Sequence, residues 1–280
     1  MNKKLERILK NVGDLNFRRR IVEIFNYLDI KPGDKILDCG CGDGFYTMIL
    51  SEVYDCKVTA MDYKQKLIDS AKKSVRNLEK VKFVIGDITK GLPFEDNTFD
   101  KVIFTEVLEH LNDEQQALEE LKRVLKKGGK LALSVPHCNY PFLWDPFNWV
   151  REHLGLGHFN PMKPLLGGVW GYDHKRLYSP DMLKEVVSKS ELEVNKIIGL
   201  THHTLPFNLT LLYIGKQVYT ALFSRSKSSG IEKFDWDKEK KRNLVVESLF
   251  NFAKKVDSKN EGKDYIGKKS FITLFCGATK

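Results

Sequence analysis

The sequence predicts an α/β fold in which a mostly parallel sheet is wound on both faces by helices. Two observations carry that prediction. From Lys35 to Val135 short β-rich apolar runs alternate with helix-length amphipathic stretches, the rhythm of right-handed βαβ crossovers. A glycine-rich turn also joins the first strand to the first helix of that series. Taken in order, Phe17–Leu28 reads as a helix closed by Lys31-Pro-Gly-Asp34. The strands are expected at Lys35–Cys39, Lys57–Met61, Lys82–Ile85, Asp100–Phe104 and Lys130–Val135. Helices are expected near Phe45–Val53, Lys64–Leu78 and Glu114–Leu125, the last one closed by Gly128-Gly129 as a left-handed cap. Ser179-Pro-Asp then opens a helix running to about Lys189, with Ser at the N-cap and Pro at the first position. Leu192–Leu200 reads as a sixth strand and Ser270–Cys276 as the last.

Two stretches break the rhythm. Residues 137–175 are irregular and rich in Pro, Gly, His and Trp, and read as a substrate lid or as a loop with its own small aromatic core. Residues 201–269 form a second excursion, apolar and then basic, with a linker at Ser224–Gly230. A single domain is therefore expected, with its core at 31–136, 176–200 and 270–280.

Composition narrows the class. The 280 residues are 42% hydrophobic and 30% charged, ordinary for a globular protein. Met1–Arg20 is studded with Lys and Arg and has no apolar h-region, and the chain holds no run of about 18 uncharged apolar residues. A cytoplasmic protein is expected. Five cysteines without framework spacing predict free thiols. No Cys/His pair has zinc spacing, so no metal is expected. The net charge of +9 is dispersed rather than gathered in one block, which weighs against a nucleic-acid partner.

Candidate chemistry begins at the turn Ile36-Leu-Asp-Cys-Gly-Cys-Gly-Asp-Gly-Phe-Tyr-Thr47. Glycines after a strand and before a helix admit positive φ and let the backbone approach a ligand beside free helix N–H groups. Asp62 ends the second strand, 18 positions past Gly44, where an acid can accept from both hydroxyls of a ribose. Gly86-Asp87-Ile88 follows the third strand, and the segment Asn97 to Leu111, with Phe99-Asp100 and Glu109-His110-Leu111, spans the fourth.

In this order and spacing the four blocks resemble the class I S-adenosylmethionine (SAM)-dependent methyltransferases, densely over Lys31–Val135 and more thinly to Leu200 and at Ser270–Lys280. The nearest branch is the small-molecule one, similar to quinone and sterol methyltransferases, and His174 to Leu183 is similar to a stretch recurrent there. The resemblance implies a Rossmann-like doubly wound sheet of about seven strands with the last antiparallel. It further implies that Asp38, Gly40, Cys41 and Gly42 cradle the methionine moiety, and that Asp62 holds the ribose with Tyr63 beside it. Asp87 and Ile88 would recognise adenine, while Thr105 and Glu106 would line the sulfonium side. Cys39 and Cys41 match positions where the family tolerates small residues and are read as packing residues rather than redox ones.

Other classes fit less well. A dinucleotide dehydrogenase would want Gly-x-Gly-x-x-Gly, and here the third glycine falls one residue early. An amino-directed base methyltransferase would carry Asn/Asp-Pro-Pro-aromatic after strand four, where this chain has Thr105-Glu-Val-Leu108; RNA methylation of another kind, and a non-catalytic SAM-binding protein, stay open. Methyl transfer needs a base only for an acceptor that must lose a proton. His137, directly after strand five, is the first candidate, with His110 and Tyr172 as further ones. The expected acceptor is a small molecule reacting at oxygen or carbon, lipid- or isoprenoid-like if residues 205–227 touch a membrane surface. Otherwise that segment would cover the site or form a dimer face, and the chain is expected as a monomer or a homodimer.

Overall fold

A computed structural model describes residues 2–10, 12–159, 173–205, 244–261 and 268–280. Among them lie eight α-helices and seven strands, introduced here in chain order. They are α1 (Lys3–Lys10), α2 (Leu15–Leu28), β1 (Lys35–Cys39), α3 (Phe45–Val53), β2 (Lys57–Asp62), α4 (Gln65–Ser74), β3 (Val81–Ile85) and β4 (Phe99–Thr105). After them come α5 (Glu114–Val124), β5 (Leu125–Pro136), α6 (Pro146–His153), α7 (Pro180–Lys189), β6 (Glu193–Gly199), α8 (Leu244–Asp257) and β7 (Thr273–Thr279). The strands form one sheet in the order β3-β2-β1-β4-β5-β7-β6. β1 to β5 are parallel, and β7 inserts antiparallel between β5 and β6. The expected doubly wound sheet with an antiparallel last strand is present.

Side-chain alternation explains the two layers. Along β4 Val102 and Phe104 enter one core while Ile103 enters the other; along β5 Leu131 and Leu133 part from Ala132, and along β7 Leu274 and Cys276 part from Phe275. The first core is covered by α5 and α7 through Leu118, Leu121, Leu183 and Val187. The second is covered by α1, α2 and α3 through Ile8, Ile21, Ile24 and Ile49. Both faces of each central strand are thus buried, as a parallel sheet requires. Each fully buried Leu or Ile contributes roughly 1.5–3 kcal/mol.

Local chemistry sets most ends. The Asp14 carboxylate accepts from the N–H groups of Asn16 and Phe17 and caps α2, which Asp29 closes at φ 48°. Ser179 caps α7 by accepting from Met182, with Pro180 first in the helix, as expected. Gly128-Gly129 is a correction. α5 ends at Val124, and Leu125 already begins β5. Gly128 (φ 73°) turns within that strand and donates to the Lys280 carbonyl, while a Cβ on Gly129 would stand 2.8 Å from the Lys126 carbonyl oxygen. The glycines fit a bend at the sheet's end rather than a helix cap. β7 also runs about three residues further than expected, because Gly277 and Ala278 are buried between β5 and β6.

The first part of the 137–175 stretch packs around Tyr140, Trp144, Leu177 and Ile272, the small aromatic core that was one of its two expected roles. The expected amphipathic helix near Lys241–Val256 appears as α8, tied to α2 by Arg19, whose guanidinium donates to Asp257 at 2.8 Å. The apolar segment from residue 206 to 223, the linker, Trp170 and Tyr172 lie outside the described residues. All five cysteines are unpaired. Among the described residues no helix is long and apolar enough to cross a membrane.

Candidate cofactor and acceptor site

The strands β1 to β5 end on one edge of the sheet, and the residues singled out above collect there. β1 delivers Asp38 and the turn Gly40–Gly44, whose three glycines take φ values of 76°, 55° and 83°. The N–H groups of Gly40 and Cys41 both donate to the Met61 carbonyl at 2.8 and 2.9 Å, which fastens the turn to the end of β2. The glycines are not equivalent. A Cβ on Gly40 would lie 2.4 Å from Val107 Cγ2, and one on Gly44 would lie 2.8 Å from Ala71 Cβ, whereas one on Gly42 meets nothing within 4 Å. The turn is closed by protein on two sides and open at Gly42.

Two carboxylates flank that opening. Asp62 is 5% exposed, and accepts from the N–H of Gly42 and of Lys64, both at 3.0 Å. Asp38 is 1% exposed and accepts from the Thr47 hydroxyl at 2.6 Å. Burial, opposed by the Thr47 hydrogen bonds and assisted by the charges of Asp62 and Asp43, pushes its pKa up to about 7. A paired cation would return it to the carboxylate. Tyr63 is largely exposed, with Lys64 Nζ 4.8 Å from its ring centre. Asp87 caps the short turn Ile88–Lys90 by accepting from Thr89 N–H and hydroxyl. Ile88 is buried against the core of the α5 face, so it offers little open surface beside Asp87.

At the mouth of β4, Thr105 is half-buried and Glu106 adopts φ 54°. The Glu106 carboxylate accepts from the Ser134 hydroxyl at 2.9 Å and pairs with Arg20 at 2.7 Å. Arg20 comes from α2, and its guanidinium lies 5.0 Å from the centre of Phe17, which packs on Phe45 and Tyr46 of α3. Sequence reading missed Arg20, because nothing in one helix reveals a partner that is 86 positions away.

The candidate bases fare unequally. His137 is 2% exposed, its Nδ1 lies 2.8 Å from the Asn139 carbonyl, and its backbone donates to Ile272. Burial holds its pKa below the ordinary histidine value, against the backbone carbonyls of Asn139 and Phe271. Buried and held at the joint of β5 and β7, His137 is badly placed for the general-base role expected of it. His110 is part-exposed; its ring centre stands 4.8 Å from that of His174, and Glu109 lies between them. A cavity of about 680 Å³ opens beyond β5, lined by Tyr140, Phe142, Trp149, His202, His203 and Lys269 among others.

With this geometry in place, comparison with known proteins shows what the chain is similar to. Residues 37–133 match the family model described as a methyltransferase domain. An uncharacterized methyltransferase of Schizosaccharomyces pombe is 42% identical over 161 residues, 52% of this chain and 58% of that protein. Demethylmenaquinone methyltransferase of Staphylococcus epidermidis is 36% identical over 108 residues, 38% of this chain and 44% of that one. The chain thus spans about a third to three fifths of the curated relatives it matches. Among solved structures, Haemonchus contortus phosphoethanolamine N-methyltransferase 2 in complex with SAM shares the fold at TM-score 0.57 and 17% identity, over 94% of this chain and 52% of that one. A chain of the complex between the Haloferax volcanii Trm112 methyltransferase activator and a methyltransferase does so at 0.55 and 16%, over 100% and 98%. The [4+2]-cyclase SpnF also shares it, at 0.56 and 17%, over 94% and 81%, so the fold by itself does not specify the reaction.

Proposed function

We propose, from the match of residues 37–133 to the methyltransferase-domain model, that the chain transfers the methyl group of SAM to an oxygen or carbon of a small-molecule acceptor. The observation that supports it most is the turn open only at Gly42 between two buried carboxylates. The donor set fits the cofactor. Asp38, held by Thr47, suits the ammonium of the methionine moiety, and the Gly40–Gly44 backbone admits its chain. Asp62 keeps lone pairs for the ribose hydroxyls beyond the two N–H groups it already accepts. Asp87, with its carboxylate part-exposed, suits the adenine amino group.

When bound, SAM supplies a methyl carbon already activated by the sulfonium. The protein's task is then to align donor and acceptor for in-line displacement, and alignment supplies much of the rate. Arg20 and Ser134 fix Glu106 at the mouth of β4, and Phe17, packed on Phe45 and Tyr46, lies beside the Arg20 guanidinium. The acceptor would enter from beyond β5, where the cavity carries aromatic walls and Lys269. That lining favours an amphiphilic acceptor with a ring or an isoprenoid part, and a quinone-like acceptor is in keeping with the demethylmenaquinone methyltransferases among the relatives. Association with a membrane surface belongs to the same proposal and rests on residues 205–227.

The test is transfer of labelled methyl from SAM to cell-extract fractions separated into lipid, RNA, protein and small molecules. Label in the lipid or small-molecule fraction supports the proposal. Label confined to RNA or protein replaces the acceptor class, and label in none overturns the activity.

A further inference from the structure

Glu109 stands apart from every other acid in the described structure. It lies in the short 3-10 turn Leu108–His110 that follows β4, is 0% exposed, and neither of its carboxylate oxygens has a hydrogen-bond partner. Burying a carboxylate without a partner costs several kcal/mol. Burial, with the charge of Glu106 adding repulsion, pushes its pKa well above the carboxylate range. Such a group takes up either a proton or a cation.

Two imidazoles face it. His110 Nε2 and His174 Nε2 each stand 3.9 Å from Glu109 Oε1, and the three ligand atoms lie within 4.8 Å of one another. A separation of 3.9 Å is too long for a hydrogen bond. Two atoms each about 2.1 Å from one tetrahedral zinc stand about 3.4 Å apart, so the three ligand atoms would draw together by roughly half an ångström or more around a shared ion. We propose that Glu109, His110 and His174 form a binding site for a divalent transition-metal ion, with zinc the best match to two imidazoles and one carboxylate.

The surroundings are built for that role. His110 Nδ1 lies 3.3 Å from the Asp173 carbonyl, which can only accept. The Nδ1 proton is thereby fixed and the Nε2 lone pair left toward Glu109, the outer hydrogen bond found on metal-bound histidines. Asp173 reaches that position at φ 61°, and the Lys175 N–H donates to the Glu109 carbonyl at 2.9 Å. The residues on either side of His174 are therefore pinned to the turn that carries Glu109 and His110. Spacing rules missed the cluster because His110 and His174 are 64 positions apart.

Three protein ligands leave the ion an open position, three residues past Glu106 at the mouth of β4. An ion there lowers the pKa of an acceptor hydroxyl that it binds. The hydroxyl proton leaves to solvent, a C–O bond forms to the methyl carbon, and the C–S bond breaks with its electron pair staying on sulfur as the thioether. This use of the ion rests on the methyl-transfer proposal; the site itself does not.

The experiment is equilibrium dialysis of metal-stripped protein against Zn²⁺ alone, with Co²⁺ substitution read by its visible absorption bands. Wild type should bind one equivalent and show the bands of nitrogen–oxygen coordination. Glu109→Gln keeps the side-chain shape and, like the protonated carboxyl of the stripped protein, is neutral, so it should fold and melt close to the stripped wild type, yet lose at least tenfold in zinc affinity; His174→Ala should lose zinc affinity likewise. No saturable binding by folded wild type, or equal affinity in Glu109→Gln, overturns the site. SAM binding measured on the same preparations separates the two proposals. Zinc without SAM binding removes methyl transfer and leaves the site; SAM without zinc binding does the reverse.

Discussion

The glycines of the β1–α3 turn allow stability and ligand binding to be pulled apart. All three have left-handed φ, so an alanine at any of them meets a backbone cost of about 1–2 kcal/mol. Gly42→Ala adds nothing to that, because its methyl group would stand in open space. Gly40→Ala adds a Cβ at 2.4 Å from Val107 Cγ2, and Val107 is packed against the α5-face core. Forcing that contact brings a further ~1–3 kcal/mol of overpacking, for a total of roughly 2–5 kcal/mol. Urea unfolding should place Gly42→Ala about 1–2 kcal/mol below wild type and Gly40→Ala roughly 2–5 kcal/mol below it. Calorimetry with S-adenosylhomocysteine should invert part of that order: Gly42→Ala, the milder change for the fold, should lose at least tenfold in affinity because its methyl occupies ligand space. If Gly42→Ala binds as wild type does, the opening at Gly42 is not the cofactor cradle. Equal stability of the two variants would refute the packing argument.

Further expectations follow from the flanking residues. SAM affinity should rise with pH through about 7 as Asp38 ionises; Thr47→Val removes a hydrogen bond to the carboxylate and should move that midpoint upward, while Asp38→Asn should flatten the profile. In the ligand-free protein the same raised pKa favours the folded state at low pH. That contribution should be lost between about pH 4 and 7, a slope that Asp38→Asn removes from urea titrations at stepped pH. Arg20→Ala leaves the part-exposed Glu106 without its cation and should cost about 1–3 kcal/mol, with part recovered in the Arg20→Ala/Glu106→Gln double variant. His137→Asn should lower the melting temperature yet leave the pH dependence of kcat unchanged; loss of a titration near the histidine range would return His137 to the chemistry.

What could be read from the chain was what is local. Helix Phe45–Val53 and strand Lys35–Cys39 were placed to the residue, since period, cap and glycine turn all lie within a dozen positions. Asp38 and Asp62 could be placed at the carboxyl ends of β1 and β2 because the alternation had located those strands. The Gly128-Gly129 reading failed because a left-handed glycine serves a strand bend as well as a helix end, and only pairing with β4 and β7 decides which. Arg20, Glu109 and His174 act through partners from distant elements. Glu109 in particular reads as one more surface acid in Glu-His-Leu until the fold buries it. The same holds for His137, whose position after β5 suggested an accessible base until its backbone neighbours closed over it.

The most direct test of the whole account is calorimetric titration of SAM and S-adenosylhomocysteine into wild type and Gly42→Arg, with circular dichroism confirming that both are folded. Saturable binding by wild type, lost in the arginine variant with the fold retained, is the predicted result. Absence of binding by well-folded wild type, or undiminished binding by Gly42→Arg, would contradict it.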